Sequence, residues 1–383
     1  MSSTGQIREV ISSTESMTDK YPVSNLTDID MDMEYEEDNG TDCILQEWQV
    51  TYTLIPIIYF MVFFLGLSGN GLVIWINLHN KEKRRSADNF IVNLAVADLT
   101  FVLTLPLWAV YTGLDYHWPF GSFTCRVSSY IVFVNMYASV FCLTGLSFDR
   151  FLAIVYSLNS GRLRSKASGL PGTIFIWGLA SLLALPAIIF RNTIYSTEVN
   201  GTILCDMDFS SVADNHRVIS WRAGLSLSST IFGFIIPFVV MVTCYYSIAH
   251  TISRHFQDQK QEGQRKRRLL SIIITLVMVF GICWLPYHLS KTINILLDLE
   301  VITVSCETEN FLFKIHHYVT SIAYINSCLN PFLYAFFDPR FRAECLLLLT
   351  CGDLQSLQDK FANLSSSHSL NGKCEQQTLP SRL

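Results

Sequence analysis

The sequence predicts an all-α membrane protein: a seven-transmembrane helix bundle with a short amphipathic eighth helix. Three observations carry that prediction. Only 15% of the 383 residues are charged, while 50% are hydrophobic and mean hydropathy is +0.33; soluble chains run at about 25% charged. The ions are missing from seven runs, at 48–80, 89–114, 127–148, 167–190, 223–253, 269–290 and 315–337, the second interrupted by Asp98 alone. Each run exceeds the ~18–20 residues that cross a hydrocarbon core. Lastly, Lys and Arg concentrate in alternate loops: 81–88, 149–166 and 254–268 hold 14, and 115–126, 191–222 and 291–314 hold 6. Cytoplasmic loops carry the excess of basic residues. The pattern excludes a cytosolic enzyme, a nucleic-acid binder and a disordered chain, and nothing in it suggests an enzyme.

Taken in order, residues 1–50 read as an acidic extracellular tail. They hold twelve acids against Arg8 and Lys20. Residues 1–30 show no signal peptide, so the first span is expected to act as its own insertion signal. Asn25, Asn39 and Asn200 head glycosylation sequons on the outer side, and Tyr35, set among acids, is a candidate for sulfation. Residues 51–337 form the bundle. Cys43, Cys125, Cys205 and Cys306 fall outside, where an oxidising compartment allows three pairings. Cys125 opens span three and Cys205 lies in the loop after span four. Cys43 and Cys306 precede spans one and seven, neighbours in a closed ring, so the positions favour 125–205 and 43–306.

Within the spans, Asp98 is the lone carboxylate. Asn135 and Ser139 lie one turn apart on span three, and Asn326, Ser327 and Asn330 on span seven. Converging on Asp98, these faces would make a pocket for a monovalent cation; the alternative is a neutralised Asp98 hydrogen-bonded between helices. Asp149 and Arg150 end span three as a pair that can be held and released. Pro286 after Trp284, and Pro331 after Asn330, free carbonyls and mark hinges. Beyond the bundle, 338–350 crowds apolar residues on one side, as an interfacial helix would. Cys345 there, and Cys351 at the head of the cytoplasmic tail 351–383, are palmitoylation candidates.

Gly69 with Asn70, Leu94 to Asp98, Asp149-Arg150, Trp177, Pro237 with Tyr245, Trp284 to Pro286 and Asn330-Pro331 with Tyr334 together resemble the rhodopsin-like G-protein-coupled receptors, over about residues 50–350. The resemblance implies that Arg150, Tyr245 and Tyr334 line a G-protein cavity and that Trp284 is a toggle beneath the ligand. It also implies a sodium ion held by Asp98, Asn135, Ser139, Asn326 and Asn330. Phe151 stands where the family has tyrosine. A non-signalling scavenger receptor of the same fold is the alternative it supports. A transporter would need paired intramembrane ionisable groups or an internal repeat, and neither is present in the sequence.

Tyr324 stands where retinal binders carry lysine, and Val132 where amine receptors carry an acid. The acidic outer segments suit a cationic ligand instead. Thr104 to Trp108 and Trp118 to Gly121 resemble peptide receptors of the angiotensin and chemokine branch. The runs 81–88, 133–150 and 324–342 resemble one peptide-hormone receptor type within it. That likeness implies basic peptide hormones as ligands, coupling through the inhibitory G-protein class, arrestin recruitment, receptor kinases, and roles in cell migration, gastrulation and heart and vessel development. The implied peptide contacts are Glu47, Trp108, Asp115, Arg191, Asp208, Tyr287, Lys291, Glu307, Glu309 and Tyr324, with Arg191 and Lys291 meeting the peptide's carboxyl end. Ile44 and Asn294 depart from that pattern.

Overall fold

The computed structural model describes residues 47–79, 86–156, 169–196, 201–212, 215–255, 260–337, 341–343 and 345–346. Cys43, Asn25, Asn39, Tyr35, Asn200, Cys351 and the tail lie outside them. The expected spans are helical. α1 (Thr51–His79) is span one. Span two is broken into α2 (Ser86–Val102) and α3 (Leu105–Gly113). Pro106, in the first turn of α3, has no N–H to give to the preceding turn, so the α ladder stops and restarts there. α4 (Gly121–Phe151) is span three and α5 (Gly169–Phe190) span four. Span five comprises α6 (Asn215–Thr230) and α7 (Ile236–His255), joined by a π-helical turn at Ile231–Ile235 just ahead of Pro237. α8 (Lys260–Asp298) and α9 (Cys306–Phe337) are spans six and seven. The described residues of the expected eighth helix, 341–343 and 345–346, are helical.

Among the described residues, six segments are long and apolar enough to cross a membrane by length and hydropathy. α9 has the length, at 32 residues, and is more polar. Its polar residues Ser321, Asn326, Ser327 and Asn330 are buried.

The bundle is built apolar-out. Phe175, Ile174 and Leu182 on α5, Val239 and Tyr246 on α7, and Phe64 and Met61 on α1 are exposed, while Asp98, Asn135 and Ser139 are not. A soluble protein shows the opposite arrangement. The main core runs from Val73 on α1 through Leu94, Leu143, Met241 and Phe280 to Tyr334 on α9. α9 packs on α1 and α8, and α4 is packed by α2, α5 and α7. Gly69 lets α1 approach α9: a Cβ there would sit 2.9 Å from the Pro331 ring.

Between α5 and α6, β1 (Arg191–Tyr195) and β2 (Ile203–Met207) form an antiparallel hairpin in which Thr193 faces Cys205. The Cys125–Cys205 disulfide staples the hairpin to the start of α4. Buried Trp118 completes the joint, its backbone N–H donating to Ile203 O at 2.7 Å. The expected 125–205 pairing is therefore present. Cys306 is also disulfide-bonded, and its expected partner Cys43 falls outside the described residues.

Candidate functional site

Under the hairpin, the bundle opens into a cavity of about 930 Å³. Seven of the ten expected contact residues line it: Glu47, Trp108, Asp115, Arg191, Tyr287, Lys291 and Tyr324. They come from the segment before α1, α3 and the loop after it, β1, α8 and α9, so only the closed bundle brings them together. The cavity is bipolar. Glu47 and Asp115 stand on the α1–α3 side. Arg191, Lys291 and Arg222 are contributed by β1, α8 and α6. Arg191 is held by β2, donating to Cys205 O at 2.6 Å and to Asp206 Oδ1 at 3.3 Å. Lys291 donates to Ser229 Oγ and lies 5.5 Å from the centre of the Tyr287 ring. Aromatic packing stiffens the wall: Trp108 meets Trp118 at 5.1 Å and Tyr324 meets Tyr59 at 5.5 Å.

Three expected contacts do not line the cavity. Asp208 follows β2, and its backbone N–H donates to Phe190 O. Its carboxylate accepts from Ser210 N at 3.0 Å and from Asn192 Nδ2 at 3.4 Å. Ser210's side chain and backbone hold this carboxyl below its ordinary range. Glu307 and Glu309 sit in the first turn of α9, where acids complement the helix N-terminus. Loop acids look alike in sequence; the turn each one closes decides where it points. Conversely, Arg222, His316 and His317 line the cavity and were not among the expected contacts. Their signal was weak, because single basic residues near span ends read as solvated.

Deeper in the bundle, the polar convergence on Asp98 is present. Asn135 Nδ2 donates to Asp98 Oδ1 at 3.0 Å and Ser139 Oγ donates to the same oxygen at 3.2 Å. Asn330 Nδ2 donates to Oδ2 at 2.9 Å. Ser327 Oγ donates to Asn135 Oδ1 at 3.5 Å. Asn326 is buried but hydrogen-bonds neither Asp98 nor its partners; Ser327 takes the place assigned to it, because adjacent helical residues point about 100° apart. Asn70 ties this layer to α1, donating to Ser327 O at 2.8 Å. One carboxylate with neutral hydroxyl and amide groups suits a monovalent cation; hard divalent ions take more oxygens and charge. Among the described residues, no cluster of three His, Cys, Asp or Glu side chains could hold a metal ion.

Toward the other end, Asp149 Oδ2 lies 3.8 Å from Arg150 Nε. Tyr245 OH is 2.7 Å from Ser147 Oγ, joining α7 to α4. Phe151 stacks on Phe148 with ring centres 6.1 Å apart. Trp284 is buried beside Phe280, Tyr287 and His288, two residues before Pro286 in α8. Among the described residues, its indole N–H has no hydrogen-bond partner. Tyr334, also buried, lies three residues beyond Pro331 in α9 and packs edge-on to Phe341. Trp177 donates to Asn93 at 2.9 Å, fixing α5 to α2.

Residues 69–334 match the family described as 7 transmembrane receptor (rhodopsin family). Apelin receptor A of Danio rerio is 53% identical over 347 residues, covering 90% of this chain and 95% of that protein. The apelin receptor of Xenopus tropicalis is 51% identical over 351 residues, covering 91% and 95%. The type-1 angiotensin II receptor of Gallus gallus is 37% identical over 298 residues, covering 78% and 81%.

Proposed function

The chain belongs to the rhodopsin family of seven-transmembrane receptors, and from that premise we propose that it is a plasma-membrane receptor for the basic peptide hormones apelin and Elabela/Toddler. The observation that carries this reading is the bipolar cavity. Glu47 and Asp115 suit the Arg and Lys side chains of a basic peptide, and Arg191 and Lys291 suit its carboxyl end. Trp108, Tyr287 and Tyr324 supply aromatic wall between the two poles. Asp208, Glu307 and Glu309 act from outside the cavity as part of an acidic rim that attracts a cationic ligand before contact.

The hairpin end faces the extracellular medium, and the Asp149–Arg150 end and C-terminus face the cytoplasm. Ligand seated against Tyr287 presses on neighbouring Trp284, and α8 and α9 bend at Pro286 and Pro331 to open a G-protein site at Arg150, Tyr245 and Tyr334. The partners there are a G protein of the inhibitory class and, after receptor kinases have acted on the tail, arrestin. Sodium at Asp98, Asn135, Ser139 and Asn330 favours the resting packing. Signalling of this kind serves cell migration, gastrulation and heart and vessel development. The test is apelin-stimulated nucleotide exchange on an inhibitory G protein, with Arg150→Ala as control. Exchange in the parent and none in the variant is expected. Binding without exchange in the parent would favour a scavenger, and absence of binding would remove the ligand assignment.

A further inference from the structure

We propose that Ser229 and Thr230 of α6 are positioning residues for the ligand's carboxyl end: together they clamp α6 to α8 and set the Lys291 ammonium where a carboxylate is read. The inference rests on the reading of Lys291 as a partner of the peptide's carboxyl end, and it adds the residues that aim it.

The clamp has two points, one helical turn apart on α8. Lys291 Nζ donates to Ser229 Oγ, and His288 Nδ1 lies 3.1 Å from Thr230 Oγ1. Residues three apart share a helix face, so one face of α8 meets two consecutive residues of α6. Ser229, Thr230 and His288 are all buried. A shared acceptor fixes the direction of each bond. Ser229 Oγ donates to Ser226 O at 2.8 Å, and Thr230 Oγ1 donates to the same oxygen at 3.3 Å. A hydroxyl has one hydrogen, so both oxygens are left to accept, Ser229 from the ammonium and Thr230 from the His288 Nδ1–H. Directly after Thr230 the chain enters the π-helical turn Ile231–Ile235. The extra residue of such a turn shifts the face presented beyond it by about 100°. Ser229 and Thr230 thus serve α8, while Tyr245 on α7 meets Ser147 on α4. Phe234, inside the turn, stacks on the His288 ring at 4.9 Å and completes the joint.

Ser229, Lys291 and Tyr287 all line the cavity. An ammonium carries three donors. Ser229 takes one, and the Tyr287 ring flanks the ammonium with its centre 5.5 Å away. Two donors remain for a carboxylate. Both holders are neutral, so neither cancels the charge of Lys291; Arg191, by contrast, is paired with Asp206 at 3.3 Å. A lysine ammonium sits on a flexible four-carbon stem, and fixing it before the ligand arrives lowers the ordering cost of binding. That gain is realised in full only by a group that meets two donors with opposite charge. A carboxylate does so, whereas a carboxamide offers one acceptor oxygen and no charge. Ser229 therefore sharpens the preference for a peptide ending in a free carboxylate over the same peptide amidated.

The experiment uses the full chain in membranes and two probes, apelin with a free C-terminal carboxyl group and the same peptide amidated. The readout is the ratio of their affinities. The parent should prefer the acid form about tenfold, Lys291→Gln should bring the ratio to about one, and Ser229→Ala should bring it to about threefold. Thr230→Val keeps the shape, removes the hydroxyl and should also lower the ratio. Ser229→Thr keeps the hydroxyl and should retain the parent's ratio; Ser229→Cys, with a weaker acceptor of similar size, should fall between parent and Ser229→Ala. A structural defect would weaken both peptides alike and leave the ratio where it was. With the ratio lowered in Lys291→Gln, its persistence in Ser229→Ala and Ser229→Cys would overturn the positioning, and its persistence in Thr230→Val would overturn the second point of the clamp. A ratio that Lys291→Gln does not change would overturn the reading of Lys291 as the carboxyl partner, and the positioning with it. Failure of both peptides to bind the parent would overturn the peptide reading itself.

Discussion

A carboxylate at bilayer depth costs about 2.5–3.5 kcal/mol on insertion scales, and Asp98 meets that cost with three donated hydrogen bonds from two other spans. A hydrogen-bonded polar layer of this kind also helps set which faces of α2, α4 and α9 meet. Asp98→Asn keeps the shape and removes the charge. We expect agonist affinity in the parent to differ between sodium and choline chloride, and the variant to lose that difference; a sodium effect surviving in Asp98→Asn would place the ion elsewhere. Asp208 belongs to a different class of residue. Its charge is held by the Ser210 turn, so it is lost only below the ordinary aspartate value of about 3.9. It stands outside the cavity lining, and on the proposed reading it acts at a distance. Asp208→Asn should slow peptide association at low salt, with the deficit shrinking as the Debye length falls from about 30 Å at 0.01 M to about 8 Å at 0.15 M. A loss independent of salt would mean direct contact. Sequence reasoning found Asp98 because an intramembrane acid is conspicuous. It did not show that Asp208 lies outside the cavity lining, because a loop acid carries no mark of its turn.

The elements were legible wherever composition alone sets them. Seven charge-free runs became seven spans, with edges moved where charged residues extend a helix: α8 begins at Lys260, well before its apolar run. Less legible was the break in span two, which follows from Pro106 but requires knowing that the chain continues in the same direction past it. The α1–α9 contact was hidden as well. Gly69 reads as a helix-weakening residue in sequence, whereas the fold uses it to bring Pro331 within reach. Gly69→Leu should therefore destabilise the receptor by about 1–3 kcal/mol, as overpacking does. Gly71→Ala, where nothing lies within 4 Å, should be close to neutral. Thermal unfolding of the two purified variants decides the point, and a Gly69→Leu variant as stable as Gly71→Ala would show that the approach of α1 to Pro331 is not tight. The hairpin illustrates the reverse dependence. Its strands are only five residues each, marginal by themselves, and the Cys125–Cys205 bond across 80 residues anchors them over the cavity.

At the scale of the whole molecule, the formal charge of −5 is a difference between two ends. By the predicted topology, the outer segments carry 8 basic and 21 acidic residues and the inner ones 19 and 10. The separation suits a cationic ligand at one end and an anionic lipid surface or G protein at the other. It predicts that an epitope fused to the N-terminus is labelled on intact cells, and one at the C-terminus only after permeabilisation; the opposite pattern would invert the receptor. The sequence by itself determined the class, the number of spans and their charge asymmetry, because bilayer thickness and ion solvation act on each segment independently of its neighbours. Tertiary structure alone decided which side chains meet. Asp98 and Asn330 are 232 residues apart, and periodicity fixes the face a residue occupies but not the helix opposite it. The same holds for Glu47 and His317, whose contact exists only because α1 and α9 close the ring.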